Sequence, residues 1–249
     1  MHRGSRKHIL DWIAQPRFLP ELLALVEPVA CRVTASSQWL PLSAEQPGEA
    51  RLETFGPRAM PDHPAWPALE RWWLASPAGA NTPNWDLALS CDIEGRAGLL
   101  LVEAKANVPE LSTAGKSIAP NASADSRANH ERIGAAIGEA RGALGHVAPR
   151  IAIDRDRHYQ LSNRIAFAWK LASLGIPTVL LYLGFTGDEG IQDVGAPFAD
   201  DAHWHDVFLT HLGEVHAAEL LHGPVEAGAA AFWLLPRSRA VLSASHRNG

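Results

Sequence analysis

Two carboxylates and an ammonium group, Asp86, Glu103 and Lys105, are the side chains whose types and spacing best suit chemistry. A divalent cation such as Mg2+ takes hard oxygen ligands, usually one or two carboxylates with waters and phosphate oxygens. Asp86 and Glu103 can supply the carboxylates, and the backbone carbonyl of Ala104 a further oxygen. An ion held there polarises a phosphodiester and lowers the pKa of an attacking water. Lys105 then orients that water or stabilises charge developing on the phosphate. No serine or cysteine is tied to the set, so acyl transfer fits poorly and metal-assisted phosphodiester hydrolysis fits well. The competing reading is an ordinary Glu103–Lys105 ion pair on a solvated sheet edge, because Glu-x-Lys triplets occur in any long chain.

The three groups can meet only if residues 84–105 form a hairpin. Asn84 to Ile93 alternates like a half-buried strand, Glu94 to Gly98 carries turn residues, and Leu99 to Lys105 is a second, more apolar strand. A turn centred near Gly95 or Arg96 places Asp86 opposite residues 105–106, within the roughly 5 to 8 Å that separates cross-strand and diagonal neighbours. Side chains alternate with a period of two, so Glu103 and Lys105 share one face while Val102 and Ala104 take the other. Unpaired charges are costly in a core, so this pair is expected to look into a cleft. Asp92 is the competing acid. It lies near the turn, is expected to pair around position 99, and stands too far along the hairpin to share an ion with Glu103.

With Pro83-Asn84-Trp85-Asp86 on one strand and Glu103-Ala104-Lys105 on the next, the chain resembles the PD-(D/E)xK nuclease superfamily. The proline and the acid stand two residues further apart than in the motif that names the family. The resemblance covers roughly residues 66–185. It implies an α/β restriction-endonuclease-like fold with an α-β-β-β-α-β core, a central mixed β-sheet flanked by helices. It also implies Asp86 and Glu103 as ligands of Mg2+ (or Mn2+) and Lys105 as the catalytic lysine. The implied activity is metal-dependent hydrolysis of DNA, with RNA second. A non-catalytic member of the fold, acting as a binding or interaction module, is the alternative.

The remaining elements are read from periodicity. Residues 1–65 form an N-terminal helical extension, with helices near 6–14 and 18–27 followed by a Pro- and Gly-containing stretch that wraps the core. Residues 66–75 form a short helix whose Glu70 is a candidate further acid, although a solvated glutamate is the commoner outcome there. A long polar loop spans 107–125, a length usually reserved for function or disorder. A helix follows with Ile133, Ile137, Ala140 and Leu144 at helical spacing and Asp125 or Ser126 as its cap. Tyr159 to Leu174 is a second helix, and Thr178 to Phe185 a buried-type strand. Gln160 and Arg164, one turn apart on the polar side of that helix, are candidate substrate-positioning residues. A helix glutamine has that role in several branches of the resembled family. Residues 186–249 add a C-terminal helix and strand.

Composition bounds the rest. The 249 residues, 47% hydrophobic and 20% charged, suit one domain with a sizeable core. Cys31 and Cys91 give no disulfide framework, and Cys91 reads as a small buried hydrophobe. The chain lacks an eighteen-residue apolar run, and its opening residues read as an amphipathic helix rather than a signal peptide, so a cytoplasmic protein without a membrane partner is expected. Partners expected are nucleic acid, DNA first, with homodimerisation as an option. The net charge of −5 opposes non-specific binding to nucleic acid. Ser126–Lys170 is locally basic, with eight Lys/Arg against four Asp/Glu, so contacts should come from Arg127, Arg132, Arg155, Arg157 and Arg164. Thr186–Glu226 carries nine Asp/Glu, no Lys or Arg, and five histidines. Its His203-Trp204-His205-Asp206 run, with His211, His216 and His222, reads as a surface helix before a zinc site, because the later spacings do not share a helical face.

Overall fold

A computed structural model describes residues 3–77, 81–193 and 195–241. Its centre is a mixed, seven-stranded sheet built around the hairpin β5 (Leu87–Ile93) and β6 (Arg96–Lys105). The short strands β1 (Cys31–Arg32) and β2 (Trp39–Leu40) pair with β5, so the N-terminal segment gives strands to the sheet as well as helices. Beyond β6 come β7 (Thr178–Thr186), β9 (Ala231–Ala240) and β8 (Val225–Glu226), with β6, β7 and β9 mutually parallel. A separate ladder joins β3 (Ala50–Arg51) to β4 (Asn84–Trp85), the strand that leads into Asp86.

The central strands are apolar on both faces because both are covered, as parallel sheets require. Leu99 and Leu101 of β6, with Leu180 and Tyr182 of β7, face α4 (Ala65–Trp73), α5 (Ala124–Leu144), α6 (Tyr159–Ser173) and α7 (Asp201–Gly213). Leu100, Val102 and Ala104, with Val179, Leu181 and Leu183, face α1 (Gly4–Ile13) and α2 (Phe18–Leu25). Each large apolar side chain so buried contributes about 1.5–3 kcal/mol. The helix α3 (Leu52–Ala59) packs beside α4. No described helix is long and apolar enough to cross a membrane.

The hairpin turn is tighter than the expected 94–98. Ile93 pairs with Arg96, leaving Glu94 and Gly95 to turn the chain at φ 53° and 83°. That is the left-handed pair of a two-residue hairpin, whose twist matches the strands. Asp92 Oδ1 accepts the Gly95 N–H at 2.9 Å and so secures the turn. Gly98 lies inside the strand, where a Cβ would approach the Pro177 carbonyl to 2.6 Å. The register therefore shifts by two residues. Asp92 pairs with Ala97 rather than near 99, and Leu87 pairs with Val102. The next position outward sets Asp86 against Glu103, not against 105–106.

Two further expectations are corrected. Ser123, not Asp125 or Ser126, caps α5, its hydroxyl accepting the Ser126 N–H at 3.1 Å. The histidine-rich helix α7 is not wholly a surface element, because Trp204, Phe208 and His211 are buried on its inner face. Trp204 packs against Gly184 of β7, the residue paired with Lys105, where an added Cβ would come within 2.3 Å of the indole. Glycine is required there by close approach.

Candidate active site

The end of the β5–β6 hairpin, α6 and the segment after β6 border an open cavity of about 540 Å³. Asp86, Glu103, Lys105 and Gln160 all line it. Strand parity sends Glu103 and Lys105 to the face that α6 covers, and both are nearly closed to water, at 2% and 4% exposure. Asp86 is half-buried. Its Oδ2 accepts the Ala104 N–H at 2.8 Å, which fixes the carboxyl at the open end of the hairpin beside Glu103.

Glu103 is held from two sides. Lys105 Nζ donates to its Oε1 at 2.5 Å, and Arg164 Nε donates to its Oε2 at 2.6 Å. Lys105 also donates to Gln160 Oε1 at 2.8 Å. Arg164 is shared further: Nη2 donates to the Asn84 carbonyl at 2.6 Å and Nη1 to Asn163 Oδ1 at 2.9 Å, while its guanidinium lies 4.5 Å from the centre of the Trp85 ring. Arg164 thus ties helix α6 to the strand that carries Asp86. Such a network stabilises only while every member has its partner, since one missing partner leaves a buried charge uncompensated.

The two acids are pushed apart electrostatically. Burial, then the nearby Glu103 carboxylate, raises Asp86 to about 7 against the opposing pull of Lys105. Burial alone would raise Glu103 too, but Arg164 and then Lys105 outweigh it and hold that carboxyl below its usual range. Opposed shifts of this kind in one cleft mark a candidate functional site. Tyr182, the β7 neighbour of Glu103 in the sheet register, is buried with no hydrogen-bond partner for its hydroxyl. Burial, then the Glu103 charge, raises that phenol well above its ordinary value.

Comparison of the chain with protein-family models, curated proteins and solved structures found no match. All five candidate residues fall in one place, but in different roles. Gln160 reaches the cavity. Arg164, expected on the polar face of the helix and among the DNA contacts, is instead 6% exposed and committed to Glu103. Of the other arginines expected on nucleic acid, Arg127 and Arg132 are exposed, whereas Arg155 is tied to Asp156 and Glu131. Glu70 is exposed on α4 and is not among the cavity residues.

Glu110, in the polar loop expected over 107–125, lies on the cavity, and Arg6 and Glu49 join it without any signal in the sequence. Glu110 accepts the Ala106 N–H at 2.9 Å and stands at the cavity wall. Arg6 of α1 pairs with Glu49 and donates to the Pro47 carbonyl at 2.6 Å, so the N-terminal segment closes one side. Nothing in local spacing announces the Arg6 contacts, which cross more than forty residues.

Among the described residues, no group of three or more His, Cys, Asp or Glu is placed to hold a metal ion. The candidate donors are Asp86 and Glu103, with Glu49 and Glu110 also on the cavity, and Asp86 is raised first by burial and then by the Glu103 charge. A hard divalent cation that keeps most of its waters suits such a pair, whereas an all-protein cage does not.

Proposed function

We propose that this chain is a metal-dependent nuclease of the restriction-endonuclease-like fold, hydrolysing phosphodiester bonds of DNA at the β5–β6 hairpin. The observation that carries the reading is the convergence of Asp86, Glu103 and Lys105 on one cavity, with the two carboxyls shifted in opposite directions. The order α4, hairpin, α5 and α6, then the parallel strand β7 matches part of the α-β-β-β-α-β core of the resembled superfamily, with two consecutive strands of the central sheet before the helices where that core has three.

Asp86 and Glu103 would hold Mg2+ or Mn2+, which when bound supplies Lewis-acid polarisation of the phosphate and acidifies water. Lys105 lies in the cavity between Glu103 and Gln160, and its ammonium can meet negative charge developing on phosphate oxygens. Gln160 fixes the Lys105 rotamer and offers an amide to the phosphate or to an attacking water. Arg164 acts through Glu103, keeping it ionised and oriented, and is a positioning residue.

The test is cleavage of plasmid and single-stranded DNA in Mg2+ or Mn2+ by the wild type, Glu103→Ala and Lys105→Ala. Metal-dependent products that both variants lose by a factor on the order of 100 or more support the enzyme. Folded wild type that yields no product in either metal would leave a binding module as the better reading.

A further inference from the structure

The cavity walls constrain what can reach Lys105, and the inference that follows rests on the nuclease reading above. We infer that the substrate is an unpaired DNA strand, a single-stranded end or flap, and that Arg6 and Lys116 bind the phosphates flanking the scissile one.

Depth is the first reason. Glu103 and Lys105 are 2% and 4% exposed, so a phosphate must enter the cavity to touch them. The cleft is open to solvent, and its volume of about 540 Å³ gives room at the bottom for a nucleotide or two. A single strand can bend one nucleotide inward. A paired strand keeps its partner and a second row of phosphates alongside, and those would meet the Glu49 and Glu110 carboxylates that also line the cavity.

The walls are preformed, which is the second reason. One wall is the 112–116 segment, stitched to the residues that lead into α6. His158 N–H donates to the Thr113 carbonyl at 2.9 Å, Tyr159 N–H to Ala114 at 3.0 Å, and Lys116 N–H to Arg155 at 2.9 Å. Gly115 is pressed so closely that a Cβ would lie 2.1 Å from the Asp156 carbonyl. The other wall is α1, with Arg6 pinned by Glu49 and Pro47. Widening the cavity for a duplex would break these backbone bonds or that ion pair.

Charge is the third reason. Duplex binding draws on many phosphate contacts, and this chain carries a net −5. The cations at the cavity are few and sit on opposite walls. Arg6 lines one wall, and Lys116 follows Gly115 of the other just outside it, its Nζ 5.0 Å from the centre of the ring of Tyr159, which lines the cavity. A positively charged groove that tracks one backbone is how sequence-tolerant single-strand binders work.

The experiment is fluorescence anisotropy with labelled oligonucleotides: a single strand, the matching blunt duplex, and a duplex with an unpaired tail, each with EDTA and with Ca2+. The single strand and tailed duplex should bind about tenfold tighter than the blunt duplex. Two neutralised phosphates should give a salt slope of roughly −1.4 for the single strand, at about −0.7 per phosphate. Arg6→Gln and Lys116→Ala should each halve that slope and weaken binding several-fold, while Arg6→Lys should retain both. Equal or tighter binding to the blunt duplex overturns the inference, as does an unchanged slope in folded Arg6→Gln and Lys116→Ala. Cleavage separates the two claims. A strand preference in binding with no cleavage in Mg2+ or Mn2+ sinks the nuclease and leaves the single-strand site. Blunt duplex cut as fast as single strand does the reverse.

Discussion

Replacing Asp86 by asparagine separates what its charge does from what its shape does. Burial and the Glu103 carboxylate raise the carboxyl from 3.8 to about 7. An acid raised on folding binds its proton more tightly in the folded state than in the unfolded chain. Between about pH 4 and pH 7 the folded state therefore holds more protons, and stability falls as pH rises. Above about pH 7 the loss is complete. A rise of roughly 3 units sets a ceiling of about 4 kcal/mol. Because Asp86 is only half-buried, water in the cavity screens it and brings the effect to about 1–2 kcal/mol. Asparagine carries no charge, yet its Oδ1 can still accept the Ala104 N–H. Asp86→Asn should therefore be the more stable protein by about 1–2 kcal/mol at about pH 8, or roughly 2–8 °C in Tm. The difference should close toward pH 4. Thermal melts followed by circular dichroism across this range, with and without Mg2+, measure it directly. Saturating Mg2+ should raise the wild-type Tm and leave the variant unmoved, since only the carboxylate pair binds the ion. A variant less stable than wild type at high pH, or one that keeps the wild-type pH profile, would refute the electrostatic reasoning.

Arg164→Met should cost about 3–5 kcal/mol in urea unfolding, because it strands the buried Glu103 charge; adding Glu103→Gln to it should recover part of that loss. Gly184→Ala should cost about 1–3 kcal/mol by forcing the Trp204 indole off the strand, with no change in metal affinity by calorimetry. Mg2+ affinity, read by the same calorimetry, should strengthen as pH rises through about 7, because Asp86 must give up its proton to bind; an affinity flat from about pH 6 to 8 would count against Asp86 as a ligand.

The parts of this fold that the sequence announces are those where one periodicity decides. The apolar run of β6 and the Gly175-Ile176-Pro177 stop before β7 each place an element to within a few residues, whereas the half-buried strand expected over 84–93 is buried on both faces from Leu87 to Cys91, because helices cover the sheet on either side. Parity alone put Glu103 and Lys105 on one face, and they do share it. Register was harder. Gly98 looks like a turn residue, but its missing side chain serves the approach of the Pro177 carbonyl, so spacing alone makes the turn too long and sets Asp86 two residues out of place. Arg164 misleads for a similar reason. Its helical position is polar in sequence, and only the depth of the Glu103 carboxylate below it converts a solvated arginine into a buried partner. The two-residue strands β1 and β2 are too short to carry any period, and Arg6 and Glu49 meet only through the packing of α1.

Crystals grown or soaked with Mn2+ and measured at an anomalous wavelength test the shared-ion claim most directly. An anomalous peak bridging the Asp86 and Glu103 carboxylates, absent in Asp86→Asn, is the expected result. A peak elsewhere on the surface, or none at a Mn2+ concentration that saturates the calorimetric signal, would contradict it.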